Sequence, residues 1–575
     1  MDRAADAREA VRGALEDKVA AGKRILAEFA QLCDDPQRHN DELLMRILDE
    51  NKDTEYGRLY DFASIRSVEE YQRKVPVTSY DDYAEYIIRM TEDGEQNLLS
   101  SAEIHHYNKS SGTMGTPKRI PMSDRAMEHF DRYWETGPYG VLGTYIDDDD
   151  WMGCRIIRLA EGPAEEKHLP CGATYGAVSQ KVTRRYCDEL RFLFTSPDEG
   201  LFPVEGTDTR YLHARYALMD ARAGGMLATF YSYLIELLRY IENNWELLVD
   251  DIEQGTISSS IELPSAVRAK LEGELTPMPE RAAELRAIFA QGFDEPFVPK
   301  VWPHMSFVMG VGTGGFKQYA SMIRERYTGD DIPMLKVGIA ASEGFFSFSF
   351  GLDRDDTALI PDSVFYEFLP LDAGDDFSQI VTIDGLEQGK EYELIITNVS
   401  GFYRYRMGDA LRVVGRYHNT PTIEFMYRIN QTVSIMGEKT TEEALRHAAE
   451  RTAELLGFEL VDFSVWPDLK ASPVRYQYFM EIGRNPGRAT PKEMRMVLED
   501  ELAAANPSMG DKVKTGICGD TRLNFLETET YALYRDMMVR KGTAPAQLKP
   551  VRVIANELQR RFFFGLTEYS SEVMR

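Results

Sequence analysis

Cysteine is scarce in this 575-residue chain and nowhere arranged for pairing. The five cysteines, Cys33, Cys154, Cys171, Cys187 and Cys518, are scattered and odd in number, and no C-x-x-C occurs. That argues against a disulfide framework or a structural zinc site, and a reducing cytoplasm is the expected compartment. A basic surplus is also lacking: 66 Lys and Arg face 94 Asp and Glu, a formal charge of −28. Neither nucleic acid nor an anionic membrane surface suits such a chain as a general partner. One anionic ligand held by a few local cations remains compatible with it. Long apolar runs are missing as well. The opening MDRAADAREA has no apolar signal core. The most apolar stretch, MLATFYSYLIELLRYI at 226–241, carries Glu236 and Arg239 and reads as a core helix, not a membrane span. There is no internal repeat and no low-complexity tract.

What is present suits a large globular protein. Hydrophobic residues make up 43% and aromatics 11%, and the length calls for at least two domains. The first ninety or so residues are rich in helix formers, with Asn40 or Asp41 as the expected cap of a second helix. Another helical block is expected over 223–251. Strand-like runs follow: VWPHMSFVMGVG, MLKVGIAA, and YELIITNVSGFYRYRMGDALRVVGRY, the last a hairpin or meander with turns at SG and MGD. This large-scale alternation predicts an α/β fold. A short strand and a well-patterned helix over 441–456 mark a change of character. The expected boundary lies at 428–431, between a domain of 1–428 and a small α+β domain of 429–575. The acidic run at 147–150 reads as a solvated loop, with cation binding as the alternative. The aromatic segments 133–151 and 230–240 read as core, with lining of an acyl pocket as the alternative. His105 and His106 are adjacent, so on a strand they face opposite sides and make a poor metal pair.

The stretch SSGTMGTPK at 110–118 is the most informative. Gly112 and Gly115 let the backbone curl so that successive N–H groups can converge on an anion. Ser110, Ser111, Thr113 and Thr116 add hydroxyls, and Lys118 and Arg119 add positive charge. The strand-like EIHHY leads into it. This chemistry suits a polyphosphate, although Thr-Pro-Lys after the second glycine rules out a Walker A loop. An ordinary flexible turn is the alternative.

The stretch resembles the phosphate loop of the adenylate-forming superfamily, [ST]-S-G-T-[ST]-G-x-P-K, with Met114 in place of a hydroxyl residue. Further matches follow in the superfamily's order. IAASEGFF ends in Glu343, which the resemblance places at Mg²⁺ and the phosphates. YRYRMGDAL carries Asp409, a carboxylate suited to a ribose diol. YRINQTVSIMGEKTTEEAL resembles the hinge and the first strand of a mobile lid, with Arg428 entering the hinge and Lys439 beyond it.

The variants KVPVTSYDDYAEYIIRM, VGTGGFKQY, AASEG, GFYRYRMGDALRVVGRYHNTPTIEFMYR and GEKTTEEAL resemble the plant auxin-responsive Gretchen Hagen family of acyl acid–amido synthetases, here in a bacterial-type form. The resemblance implies a large adenylate-forming domain, with β-sheets flanked by helices and a barrel-like part, followed by a small mobile lid. It implies ATP and Mg²⁺, a small carboxylic acid, and an amino acid as acyl acceptor. Ser110, Ser111, Gly112, Thr113 and Gly115 would hold phosphates, with Ser342, Asp409, Phe425, Arg428 and Lys439 completing the nucleotide site. Thr313 and Gly314 would lie near the acyl carboxylate. Near the end, APAQLKPVRV resembles Q-Y-K-x-P-R, which makes Lys549 the lid lysine reaching the α-phosphate. Glu343, Thr113 and Lys549 are the implied catalytic residues. The chain departs from the family at Ile339 and Ala341, which stand where it has tyrosine and serine. Leu548 replaces a tyrosine, and Pro550 comes one place early. A coenzyme A ligase with the same first half-reaction, or a nucleotide-binding protein without turnover, is the alternative.

Overall fold

The computed structural model describes residues 3–109, 118–147, 151–159, 166–312, 317–429, 432–436, 438, 440–485, 487–540, 551–554 and 556–571. They form a mixed α/β protein of two compact units, one reaching to Ile429 and one beginning beyond it.

The first unit opens on helices Arg3–Leu32 and Pro36–Asn51. The second begins before the expected cap. Pro36 takes the first helical position, where its fixed φ and missing N–H cost nothing. Asn40 is therefore not a cap. It lies fully buried inside the helix, donates to the carbonyls of Pro361 (2.8 Å) and Val364 (2.7 Å), and accepts the Tyr366 N–H at 3.0 Å. A residue type that usually acts locally serves here as a tie between helix and sheet. The first helix crosses helix Gly137–Tyr145 at Gly22 and Gly140. A Cβ on either would stand 2.3 or 2.2 Å from the other's backbone.

Three sheets complete this unit. The first runs Arg119–Ser123, Ile104–Lys109, Thr174–Gly176, Lys167–His168 in spatial order. The second is parallel throughout: Ile156–Leu159, Gly225–Phe230, Val308–Val311, Met334–Lys336. The apolar run 226–241 is thus divided. Its start is a central strand, and helix Tyr231–Gln254 begins only afterwards. A buried parallel strand is apolar on both faces and carries no period to separate it from a buried helix. That is why the helix expected from 223 fails there. MLKVGIAA is divided too. Gly338 turns the corner between Met334–Lys336 and Gly338–Ala341, with the Ser347 carbonyl 1.9 Å from where a Cβ would stand.

The third sheet has seven antiparallel strands in the order Phe365–Pro370, Glu391–Thr397, Tyr405–Tyr417, Thr420–Arg428, Thr357–Leu359, Gly344–Phe348, Gly338–Ala341. The expected meander is present and turns at Ser400–Gly401. MGD is not a turn. Glu393 pairs with Ala410 and Ile395 with Arg406, so residues 407–409 form a bulge opposite Leu394, and Gly408 takes φ +68° there. Tyr133, Tyr139, Trp151 and Tyr231 are fully buried, and the Tyr133 ring packs 5.2 Å from that of Phe348. These aromatics are core.

The second unit has its own sheet, Leu460–Asp468, Arg475–Ile482, Arg522–Leu526 and Thr567–Ser570. Helices Glu442–Leu456, Pro491–Ala505, Pro507–Lys514, Thr530–Arg540 and Glu557–Gly565 complete an α+β arrangement. Short strands Thr432–Val433 and Thr440–Thr441 lead into the first of these helices. Among the described residues no helix is long and apolar enough to cross a membrane.

Candidate functional site

Strands Gly338–Ala341 and Gly344–Phe348 pair as a hairpin with Ala341 opposite Gly344, so Ser342 and Glu343 form the connection. Glu343 is 8% exposed. Both carbonyls of the connection accept from asparagine amides: Ser342 O from Asn108 Nδ2 at 2.6 Å, and Glu343 O from Asn398 Nδ2 at 3.0 Å. Asn108 sits on the strand leading to the glycine-rich stretch, and Asn398 directly follows strand Glu391–Thr397. The Oδ1 of Asn398 also accepts the N–H groups of Ser400 (3.1 Å) and Phe402 (3.0 Å). Both asparagines are buried, where a lost bond leaves a polar group unmet and is costly. They hold the Glu343 backbone from two sides. The bond from Asn398 to Glu343 joins strands near opposite ends of the seven-stranded sheet. The sheet therefore curls upon itself, which is the barrel-like part.

Asp409 lies in the bulge, buried, and opposite Arg428 in the ladder. Phe425, half-buried, pairs with Leu411 on the same ribbon, and Gly408 O accepts the Ile429 N–H at 2.7 Å. Asp409, Phe425 and the Arg428 backbone thus come from one pair of strands. That pair is anchored to the segment KVPVTSYDDY. Thr78 N donates to Arg404 O and Arg406 N to Thr78 O, both at 2.9 Å. Arg404, at φ +49°, pairs with buried Glu367 at 2.9 Å and donates to the carbonyls of Gln72 (2.8 Å) and Val75 (2.9 Å). Two motifs more than 300 residues apart are one packed assembly.

Strand Val308–Val311 ends just before Thr313 and Gly314. The crevice beyond the carboxyl ends of parallel strands is where open α/β sheets take ligands. Arg119 does not keep its charge for a neighbouring anion. Its guanidinium donates to Thr91 at 2.6 Å and pairs with Glu92. His105 is exposed and His106 buried, on opposite sides of the strand as expected. The His106 Nδ1 meets Thr174 Oγ1 at 2.7 Å, and burial lowers its pKa to about 4, so the ring is neutral near pH 7.

Ser110, Ser111, Gly112, Thr113, Gly115, Thr313, Gly314, Lys439 and Lys549 lie outside the described residues, as do the Arg428 side chain and hinge positions 430–431. Ser342 is brought beside Glu343, and Asp409 beside Phe425 and Arg428. Sequence reasoning passes over Asn108 and Asn398. Their signals are faint: an asparagine one residue before the end of the polar strand IHHYNK, and one just after the strand in ITNVSG.

The sequence pattern of the GH3 family N-terminal domain matches residues 25–334, that of its central domain 357–428, and that of its C-terminal domain 442–558. The indole-3-acetic acid-amido synthetase GH3.4 of Arabidopsis thaliana is 27% identical over 92% of this chain and 92% of its own length. The jasmonoyl–L-amino acid synthetase JAR6 of Nicotiana attenuata is 26% identical over 92% and 93%. The 4-substituted benzoates–glutamate ligase GH3.12 of Arabidopsis thaliana is 25% identical over 89% and 92%. Among solved structures, the GH3.15 acyl acid amido synthetase superposes with a TM-score of 0.65 at 23% identity, covering 95% of this chain and 97% of that one. That likeness is one of fold. These curated relatives are plant proteins and lend no support to a bacterial-type form. With one domain pattern spanning more than half of its length and two more following in order, the chain belongs to the GH3 family.

Proposed function

We infer that this chain is an acyl acid–amido synthetase that activates a small carboxylic acid with ATP and passes the acyl group to the amine of an amino acid. The observation that carries this reading is its near full-length likeness to enzymes named as amino acid conjugating ligases. In the first step a carboxylate oxygen attacks the α-phosphorus of ATP and pyrophosphate leaves. In the second, the amine nitrogen attacks the acyl carbon, AMP leaves with that oxygen, and the nitrogen gives up a proton. The protein's work is alignment and stabilisation of charge on the phosphoryl oxygens. Cys33, Cys154 and Cys171, which form no disulfide among the described residues, suit the reducing cytoplasm we propose for it.

Mg²⁺ belongs to this proposal. It is usually held by one or two carboxylates together with substrate phosphates. Among the described residues no group of three or more His, Cys, Asp or Glu could hold a metal. Glu343 offers one buried carboxylate on a backbone clamped at two carbonyls, which fits an ion shared with the nucleotide. When bound, Mg²⁺ would neutralise phosphate charge. Asp409 would accept from the ribose diol, with Phe425, Arg428 and Ser342 at the nucleoside side. We assign the phosphates to Ser110, Ser111, Gly112, Thr113 and Gly115, and the acyl carboxylate to Thr313 and Gly314. Lys439 and Lys549 would come from the domain of 429–575, moving as a lid about 428–431, with Lys549 at the α-phosphate.

The test is pyrophosphate release with ATP and Mg²⁺ across aryl, indolic and short aliphatic acids, with and without amino acids. Release that needs one acid and rises with one amino acid supports the proposal and names both substrates. A rise with coenzyme A alone makes the protein a thioester ligase, and ATP binding without release for any acid makes it a binding protein. Lys549→Ala should abolish release while ATP still binds; unchanged release removes Lys549 from the mechanism.

A further inference from the structure

The segment KVPVTSYDDY has no role in the chemistry described so far. Building on the nucleotide site proposed for this chain, we propose that Tyr80 is a positioning residue for Lys118, the cation that directly follows the glycine-rich stretch, and through it for the grip on the nucleotide phosphates. The Lys118 ammonium stands 4.9 Å from the centroid of the Tyr80 ring. The phenol of the same side chain accepts the backbone N–H of Arg119 at 2.9 Å and donates to its carbonyl at 3.3 Å. One residue thus holds position 118 by its charge and position 119 by its backbone. The Arg119 side chain is fixed independently by Thr91 and Glu92, so the segment after the stretch is held on both sides.

Tyr80 is itself anchored. Asp82 Oδ2 accepts the Ser79 N–H at 2.7 Å and the Ser79 hydroxyl at 3.0 Å, closing the turn in which Tyr80 begins. Two residues earlier, Thr78 is bonded into the strand that carries Asp409. Residues 78 and 80 therefore tie the ribose strand to the exit of the glycine-rich stretch. A lysine is a flexible stem with a point charge at its tip. An aromatic face beneath the charge contributes modest energy but selects one position among many. Burial holds the phenol's pKa above its ordinary value, so the O–H stays available to the Arg119 carbonyl.

The experiment measures affinity for a non-hydrolysable ATP analogue by calorimetry, with Mg²⁺ and without acid, in the full chain. Tyr80→Leu removes ring and hydroxyl, Lys118→Met removes the charge, and a third variant carries both. Each single change should weaken binding by about three- to tenfold. The double variant should bind no more weakly than the worse single, because Tyr80 acts through Lys118. Tyr80→Phe keeps the ring, should fall between wild type and Tyr80→Leu, and replaces it in the cycle if the leucine variant does not fold. Losses that multiply in the double variant, or wild-type binding by Tyr80→Leu, overturn the proposal. Multiplying losses sink Tyr80's role and leave the synthetase function standing. Coupled losses with no pyrophosphate release for any acid sink the function and leave Tyr80's role standing.

Discussion

Asn398 makes three hydrogen bonds from a side chain in a residue only 1% exposed, and one of them reaches the carbonyl of Glu343. Asn398→Leu keeps the volume but removes all three, at a cost of about 1–3 kcal/mol for each buried group left unmet. Asn398→Asp keeps both acceptor bonds but replaces the donation to Glu343 O with a carboxylate oxygen facing that carbonyl. If that donation positions Glu343, both variants should lower acid-dependent pyrophosphate release by about tenfold or more. Both variants should also lose stability in urea titration, the leucine variant through unmet polar groups and the aspartate variant through a buried carboxylate oxygen facing the Glu343 carbonyl. An aspartate variant with unchanged release would show that the Glu343 backbone holds without the clamp. At this scale the sequence announces charge better than support. Glu343 and Asp409 stand out in the sequence because a carboxylate in a fixed motif carries its own chemical rationale. Asn108 and Asn398 do not, because asparagine near a strand end is common wherever chains turn. Arg119 reads as a phosphate cation and is paired elsewhere, since the location of Glu92 is a tertiary fact.

The strand Tyr405–Tyr417 shows what elements add. Its bulge buries Asp409 opposite Arg428, and its approach is set by Arg404, which bonds Glu367 and two carbonyls of the segment 72–75. The guanidinium and carboxylate are 6% and 0% exposed. Breaking such a pair from one side leaves a buried charge, so Glu367→Ala should destabilise the first unit by about 3–5 kcal/mol. Arg404→Lys retains charge but not the planar fork that serves carboxylate and carbonyls together, and should cost about 1–3 kcal/mol. Urea unfolding followed by tryptophan fluorescence checks both; near-wild-type midpoints would mean the pair is dispensable. Element type was readable where the period was clear, as in helix Glu442–Leu456 and the strands of the meander. It was not readable where burial is two-sided. Met226 to Phe230 belong to a central parallel strand that offers the same apolar run as the helix after it. MGD reads as a turn because a glycine at positive φ serves a bulge equally well.

At the scale of the molecule, two opposing pH effects meet. Net charge of −28 favours the compact state as acid neutralises carboxylates and relieves repulsion. Buried histidines act in the other direction. His106 and His213 are 5% and 4% exposed, and burial lowers both pKa values to about 4. A lowered folded pKa contributes stability that is complete above the unfolded value near 6.5 and is lost as pH falls through the folded one. Each histidine should therefore cost about 2 kcal/mol by about pH 5. His213→Gln removes one such contribution, so its stability relative to wild type should improve by that amount between pH 7 and 5. A difference that stays flat with pH would mean His213 is not buried as a neutral ring. Fold class is legible at this scale, because the large-scale alternation of helical and strand-like runs determines the layer architecture without depending on any one residue.

The central claim is that the acid is activated by joining its carboxylate oxygen to the α-phosphorus of ATP. The measurement that bears on it most directly uses an acid selected by the pyrophosphate screen, labelled with ¹⁸O in its carboxylate, and reads the nucleotide product by mass spectrometry after amide formation. The account predicts one ¹⁸O atom in AMP for each amide made. Label in orthophosphate with ADP as the nucleotide product would contradict it, and would replace the acyl-adenylate with an acyl phosphate.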